Sequence, residues 1–205
     1  MKHEGNLFII SGPSAVGKGT ICKELARAGL ASLSISMTTR KPRIGEIDGK
    51  DYYFVSEEEF LKKIKEDAFL EYATVFGNYY GTPKDTVFKR LKQGYNIILE
   101  IDVQGGLQVK SRMPNAHLIF ILPPTMKELE NRIIGRGTDG DSQIRKRLDG
   151  AINEIKLIGE YDYMVFNDDL DKTIEDIKAI IKAMNFRVPD RVKKIINKFE
   201  MEMER

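Results

Sequence analysis

Short apolar runs alternate with helix-period patterns along this chain. Residues 7–10 read Leu-Phe-Ile-Ile, a helical pattern opens at about Lys18, and further apolar runs at 97–101 and 118–122 are each followed by another helical stretch. Runs that are apolar at every position predict strands covered by helices on both faces, which is the signature of a parallel sheet in an α/β fold. Helix starts are marked as well. Ser56 with Glu59, and Thr125 with Glu128, have capping-box spacing, and Thr82 before Pro83 reads as a cap preceding a first-turn proline.

Two stretches break the alternation. Residues 38–81 carry shorter strand-like pieces at 52–55 and 69–75 around one short helix, and read as an insertion on the main sheet. Residues 135–142 hold three glycines between two helical patterns, as a lid would. The tail, 189–205, reads as an amphipathic helix after a proline, with mixed charges on its solvent face.

Composition narrows the class. The chain has 205 residues, 41% hydrophobic and 31% charged, enough to bury a core without staples. Thirty-three Lys and Arg against 31 Asp and Glu leave +2, too balanced for a protein held mainly by a nucleic-acid backbone. No apolar run approaches a membrane span of roughly 18 residues, and no secretion signal is legible. The lone Cys22 excludes an internal disulfide and paired-cysteine metal sites, so the cytoplasm is the expected compartment. His3 and His117 stand apart, which argues against histidine-centred catalysis.

The chemistry concentrates in four places. Gly12-Pro13-Ser14-Ala15-Val16-Gly17-Lys18 follows an expected strand and opens an expected helix, the context a phosphate-binding loop requires. Glycines let backbone N–H groups converge on phosphate oxygens, the helix N-terminus adds positive potential, and Lys18 adds a point charge. Gly19 stands where a magnesium-ligating Ser or Thr is usual and Thr20 comes one later, so Mg²⁺ is expected to be held mainly by nucleotide phosphates and water, with no protein metal site. Arg40, Lys41 and Arg43, with Tyr52 beyond, form a candidate anion clamp, set against the plainer reading of an exposed basic loop. Glu100 and Asp102 fall at the carboxyl edge of the sheet, where such folds bind ligands, although Asp102 could equally be a helix cap. Arg132, Arg136, Arg145 and Arg147 crowd the lid, where either a polyanion or Asp139, Asp141 and Asp149 would offset their repulsion.

Taken together these residues resemble guanylate kinase, from about residue 7 to 183. The matching pieces occur in order: Ser11-Gly12-Pro13-Ser14, Ser36 through Arg43 with Gly45-Glu46, Phe76 through Gly81, Ile101-Asp102 with Gln104-Gly105, Phe120-Ile121 with Pro123-Pro124, Gly135-Arg136-Gly137-Thr138, and Asn167-Asp168-Asp169. The resemblance implies transfer of the ATP γ-phosphoryl group to GMP, and by extension dGMP, without a covalent intermediate. It implies a single domain over 1–205, with an inserted acceptor-binding region at about 36–90, a lid at about 132–148 and a C-terminal helix at about 189–204. It carries the acceptor-phosphate clamp onto Arg40, Arg43, Tyr52 and Tyr80, and guanine reading onto Ser36, Glu71 and Thr82, with Glu100 and Asp102 alongside. The ATP site falls on the loop from Gly12 to Thr20, its adenine side on Asn167 and Asp168, and its catalytic cations on Lys18, Arg132, Arg136 and Arg147. Three positions depart from the family's common pattern: Ala15 for glycine, Gly19 for Ser or Thr, and Glu100 for aspartate. A kinase for another nucleoside monophosphate, and a non-enzymatic guanylate-kinase-like module binding phosphopeptides, remain open alternatives. Self-association is also open at this level.

Overall fold

The computed structural model describes residues 4–75, 77–135, 140–187 and 192–203. Five parallel strands form the main sheet in the order β2 (Ser32–Leu33), β7 (Ile97–Glu100), β1 (Leu7–Ser11), β8 (His117–Leu122), β9 (Tyr163–Phe166). A smaller mixed sheet holds β4 (Tyr53–Phe54), β3 (Met37–Thr38), β6 (Asn78–Pro83) and β5 (Phe69–Val75), in that order. The expected α/β class and the inserted 38–81 region are both present in this architecture.

Strand alternation explains why the runs are apolar throughout. From β1, Phe8 and Ile10 pack on one face with Ile21, Cys22 and Leu25 of α1 (Lys18–Arg27) and Ile174, Ile177 and Ile181 of α7 (Leu170–Met184). Leu7 and Ile9 pack on the other, with Val87 and Leu91 of α3 (Lys84–Lys92) and Val109 of α4 (Val103–Arg112). Helices on both faces leave no polar side for these strands.

The remaining helices are α2 (Glu57–Lys65) in the insertion, α5 (Met126–Ile134) and α6 (Asp141–Ile155) flanking the expected lid, and α8 (Val192–Met203). Ser56 and Thr125 cap α2 and α5 by accepting from the N–H groups of Glu59 and Glu128. Thr82 does not cap α3. Pro83 is the N-cap there, and the Thr82 hydroxyl donates to the buried Glu71 carboxylate. Strands β2 and β9 have no counterpart in the apolar-run pattern: the first is two residues long and the second exposes Met164 and Phe166. Arg136 and Pro189 lie outside the described residues. Among the described residues no helix is long and apolar enough to cross a membrane.

The small sheet has its own core. Phe60 of α2 is fully buried, stacked on Phe69 at 4.5 Å and Tyr79 at 5.4 Å between ring centroids, with Met37 beside them. Truncation to Phe60→Ala is expected to destabilise the chain by about 3–5 kcal/mol. Guanidinium unfolding measures this, and hydrogen exchange should accelerate across β5 and β6 before it does in β1.

Candidate active site

The loop between β1 and α1 is shaped by close approaches. A Cβ at Gly12, whose φ is 145°, would lie 2.3 Å from the Ile121 carbonyl oxygen, so only glycine lets the chain leave β1 this close to β8. Gly17 caps α1 in a left-handed conformation, and a Cβ there would lie 2.4 Å from Asn167 Nδ2. Ala15 also has positive φ, 67°. Its methyl is buried with Leu129, Ile133 and Ala151, and burial of one methyl, worth about 0.8 kcal/mol, offsets much of the ~1–2 kcal/mol of left-handed strain.

Lys18 Nζ donates to the carbonyls of Gly12 at 2.5 Å and Pro13 at 3.0 Å. Burial lowers its pKa, opposed by the carboxylates of Glu154 and Glu100 and, more weakly, Asp102. Glu100 reaches solvent, yet the protein crowded around it raises its pKa against the pull of Lys18 and Lys23. A Cβ on Gly19 would stand 3.3 Å from Glu100 Oε1, so this carboxylate borders the space a side chain at 19 would enter.

Two arginines approach the loop from the helices beyond. Arg147 of α6 donates from Nη1 to Ser14 Oγ at 3.1 Å. Arg132 of α5 donates from Nε to Glu128 Oε1 at 2.9 Å and from Nη2 to the Asn167 carbonyl at 3.0 Å. Asn167 itself is buried, its amide donating to the Val16 carbonyl at 2.7 Å and accepting from Thr173. Asp168 is exposed, and its carboxyl is held low by the Asp169 N–H.

Across the cleft the small sheet presents a second set. Arg40 forks onto Glu46, both N–O distances 2.9 Å, with its guanidinium 5.4 Å from the Tyr52 ring centroid. That fork raises the Arg40 pKa and, with the Arg43 backbone N–H, lowers Glu46 to about 2. Tyr52 packs edge-on to Tyr80 at 6.0 Å. Burial raises its pKa and Glu100 raises it further.

Behind the clamp, Glu71 is only 4% exposed, accepting from the Thr82 hydroxyl at 2.7 Å. Burial pushes it up to about 7, with Asp102 adding repulsion and Thr82 opposing. Asp102 is the N-cap of α4, accepting from Gly105 N–H at 2.7 Å, so the capping role is real. It also faces Glu71, since a Cβ on Gly105 would lie 2.9 Å from Glu71 Oε2 and 3.4 Å from Asp102 Oδ1.

Comparison with known proteins decides what this arrangement belongs to. A family model described as guanylate kinase matches residues 4–184. The guanylate kinase of Caldanaerobacter subterraneus subsp. tengcongensis is 52% identical over 203 residues, covering 98% of each chain. That of Clostridium tetani is 53% identical over 191 residues, covering 93% of this chain and 91% of its own. The chain belongs to the guanylate kinase family. A crystal structure of guanylate kinase from Anaplasma phagocytophilum superposes with a TM-score of 0.78 at 33% identity, covering 95% of each chain.

Most of the site residues expected from sequence fall into local clusters. Lys18, Arg132 and Arg147 gather at the loop; Arg40, Tyr52 and Tyr80 gather on the small sheet; and Glu71, Thr82 and Asp102 meet behind them. Ser36 joins the small sheet through its carbonyl, which accepts from Tyr53 N–H. Asn167, expected on the adenine side, also braces the loop itself through its amide. Glu46 and Glu154 were missed as site residues. Their only sequence signal was Glu46's place beside Gly45 in the matching block, and for Glu154 there was none.

The Glu71 carboxyl gives a test that needs no substrate. Because its folded pKa of about 7 lies above the ordinary 4.5, its contribution to stability is full below pH 4.5 and is lost as pH rises through 7. The ligand-free Glu71→Gln variant should therefore gain melting temperature relative to wild type between pH 5 and 8, as calorimetry would read.

Proposed function

We propose that residues 1–205 work as one guanylate kinase domain that transfers the ATP γ-phosphoryl group directly and in line to the 5′-phosphate of GMP, giving GDP and ADP. On this reading the acceptor-binding region spans about 36–90 and the lid about 132–148, and the reaction serves purine nucleotide metabolism and the recycling of GMP. The observation that carries the acceptor is Glu71: a buried carboxylate beside Thr82 and Asp102, one step behind an arginine and tyrosine clamp. Guanine offers N1–H and an exocyclic amine side by side, and an ionised Glu71 accepts both. Adenine would leave the carboxylate buried and unmatched. Ser36 and Thr82 complete the base pocket, and Arg40, Arg43, Tyr52 and Tyr80 take the acceptor phosphate. dGMP carries the same base and phosphate and is accepted as well.

The donor phosphates occupy the loop from Gly12 to Thr20, with Asn167 and Asp168 toward adenine. An incoming phosphate competes for Lys18 Nζ with the Gly12 and Pro13 carbonyls it already contacts. The acceptor is an anion before it reacts, so no general base is needed, and catalysis consists of positioning, charge stabilisation and exclusion of water. Arg132, Arg147 and, from the lid, Arg136 stabilise the charge that spreads over the transferring group. For Mg²⁺, the oxygen donors here suit a hard cation: Glu100 borders the space at Gly19, with Asp102 nearby, and phosphates and water supply the rest. When bound, the ion would neutralise phosphate charge. Balanced charge and a single buried cysteine favour the cytoplasm.

ADP release from Mg-ATP, measured separately with GMP, dGMP, AMP, UMP and no acceptor, should show strong preference for GMP and little hydrolysis without acceptor. Preference for AMP would overturn the base-reading role of Glu71, and GMP binding without transfer would favour a binding module. Arg147→Ala should lower kcat on the order of 10³-fold while leaving the KM for GMP within about threefold. Equal losses in both would remove Arg147 from the transition state.

A further inference from the structure

Helix α6 meets the loop between β1 and α1 with one of its faces. Arg147, Ala151 and Glu154 are spaced by four and then three residues, which puts them in a single row. Arg147 donates to Ser14 Oγ at 3.1 Å, and Ala151 packs in a buried cluster with Ala15. Glu154 continues the row about one turn further on. Its Oε2 atom is buried and has no hydrogen-bond partner, an expensive arrangement for a carboxylate unless a cation stands near.

The cation that acts on Glu154 is Lys18. Burial raises the Glu154 pKa, the Lys18 charge lowers it, and Asp102 raises it again. The relation is reciprocal. Burial lowers the Lys18 pKa, and of the groups opposing this Glu154 acts most strongly, ahead of Glu100 at the end of β7, Cys22 on α1 and Asp102 at the start of α4. Lys18 directs its donors to the Gly12 and Pro13 carbonyls, neither of which carries a charge. Those bonds fix the direction of the side chain and leave its charge to be balanced by carboxylates. Tyr161 is the neutral neighbour in this interior. Its hydroxyl is pushed up to about 12, by burial first and also by Asp102 and Glu154, and a Cβ on Gly106 would lie 2.7 Å from it and 3.1 Å from Ser11 Oγ.

We infer that Glu154 is a positioning residue for the donor site: from the face of α6 that meets Ser14 and Ala15, its carboxylate holds the Lys18 ammonium against the inner wall of the loop. The inference rests on the reading of this loop as the site of the ATP phosphates. Before ATP arrives, Glu154 supplies the counter-charge that the Gly12 and Pro13 carbonyls cannot. Once ATP is bound, its phosphates bring several negative charges to the same ammonium and take over that task. Glu154 therefore acts on capture of the nucleotide rather than on the transfer step. One helix carries both charges, Arg147 toward Ser14 and Glu154 toward Lys18, so α6 sets the two sides of the loop together.

Nuclear magnetic resonance titration of the Lys18 side chain in the ligand-free full chain tests this without nucleotide or metal. Glu154→Gln keeps the shape and removes the charge, and should lower the Lys18 pKa by about one pH unit. Glu154→Asp keeps the charge and should retain most of the wild-type value. Tyr161→Phe disturbs the same interior with no change of charge and should leave Lys18 where it is. In the kinase assay the alkaline limb of kcat/KM for ATP should move down equally in Glu154→Gln, a loss approaching tenfold above the limb and within about threefold below it, while the limb of kcat stays in place. A merely structural role would lower kcat/KM by the same factor at every pH. A Lys18 pKa unchanged in Glu154→Gln, an equal fall in Tyr161→Phe, or a limb that moves as far in kcat as in kcat/KM would each overturn the inference. Absence of transfer by wild type would instead overturn the reading of the loop, and the resonance titration would still decide on Glu154.

Discussion

The turn from β1 into α1 is the constraint on which the rest of the active site depends. The chain must leave Ser11, reverse direction and enter a helix at Lys18. Two contacts fix that path: the Gly12 backbone against the Ile121 carbonyl of β8, and the Val16 carbonyl held by the buried Asn167 amide at the end of β9. The loop is thus braced by the two strands on one side of β1, and its shape is a property of the parallel sheet rather than of the loop alone. Asn167 is in turn fixed by Thr173 on α7, while its carbonyl accepts from Arg132. Arg132 and the loop therefore share one support.

The acceptor side is built on the opposite principle. Its central group, Glu71, is a carboxylate placed where ionisation is disfavoured by burial and by Asp102. Such a group destabilises the protein near neutral pH, and a pair of hydrogen-bond donors brought to it would relieve that cost. Arg40 shows the complementary arrangement: its charge is already answered by Glu46, which holds the guanidinium in place beside Tyr52 and lowers the reorganisation needed when a phosphate arrives.

The sequence made legible whatever depends on local order. Apolar runs located β1, β7 and β8 because a parallel sheet buries both faces of each strand, and the glycine spacing located the phosphate loop because positive φ and close backbone approach exclude other residues. It did not reveal β9, whose outward residues Met164 and Phe166 are exposed and whose position follows from pairing with β8, forty residues earlier in the chain. Thr82 looked like a cap because Thr-Pro is a common helix start; only the tertiary approach of Glu71 redirects its hydroxyl. Asn167 is marked by its place in the motif, but its brace on the Val16 carbonyl is not, since that carbonyl is distant in sequence. Glu46 and Glu154 escaped for the same reason: an acidic residue on an amphipathic or loop segment carries no mark of the cation it will face.

Two departures from the family's common pattern, Gly19 and Glu100, become one feature in three dimensions. A Cβ at position 19 would meet the Glu100 carboxylate at 3.3 Å, a separation tighter than most side-chain contacts. Losing a hydroxyl at 19 and gaining a methylene at 100 therefore act on the same volume: the longer carboxylate extends toward the space that the missing side chain leaves. Both changes leave an oxygen donor at the mouth of the loop, moved from the helix start to the end of β7. That oxygen comes from the strand adjoining β1. The same strand leads directly into Asp102, so one segment of backbone positions carboxylates at the loop and beside Glu71. A shift of β7 along β1 would disturb donor and acceptor sides together.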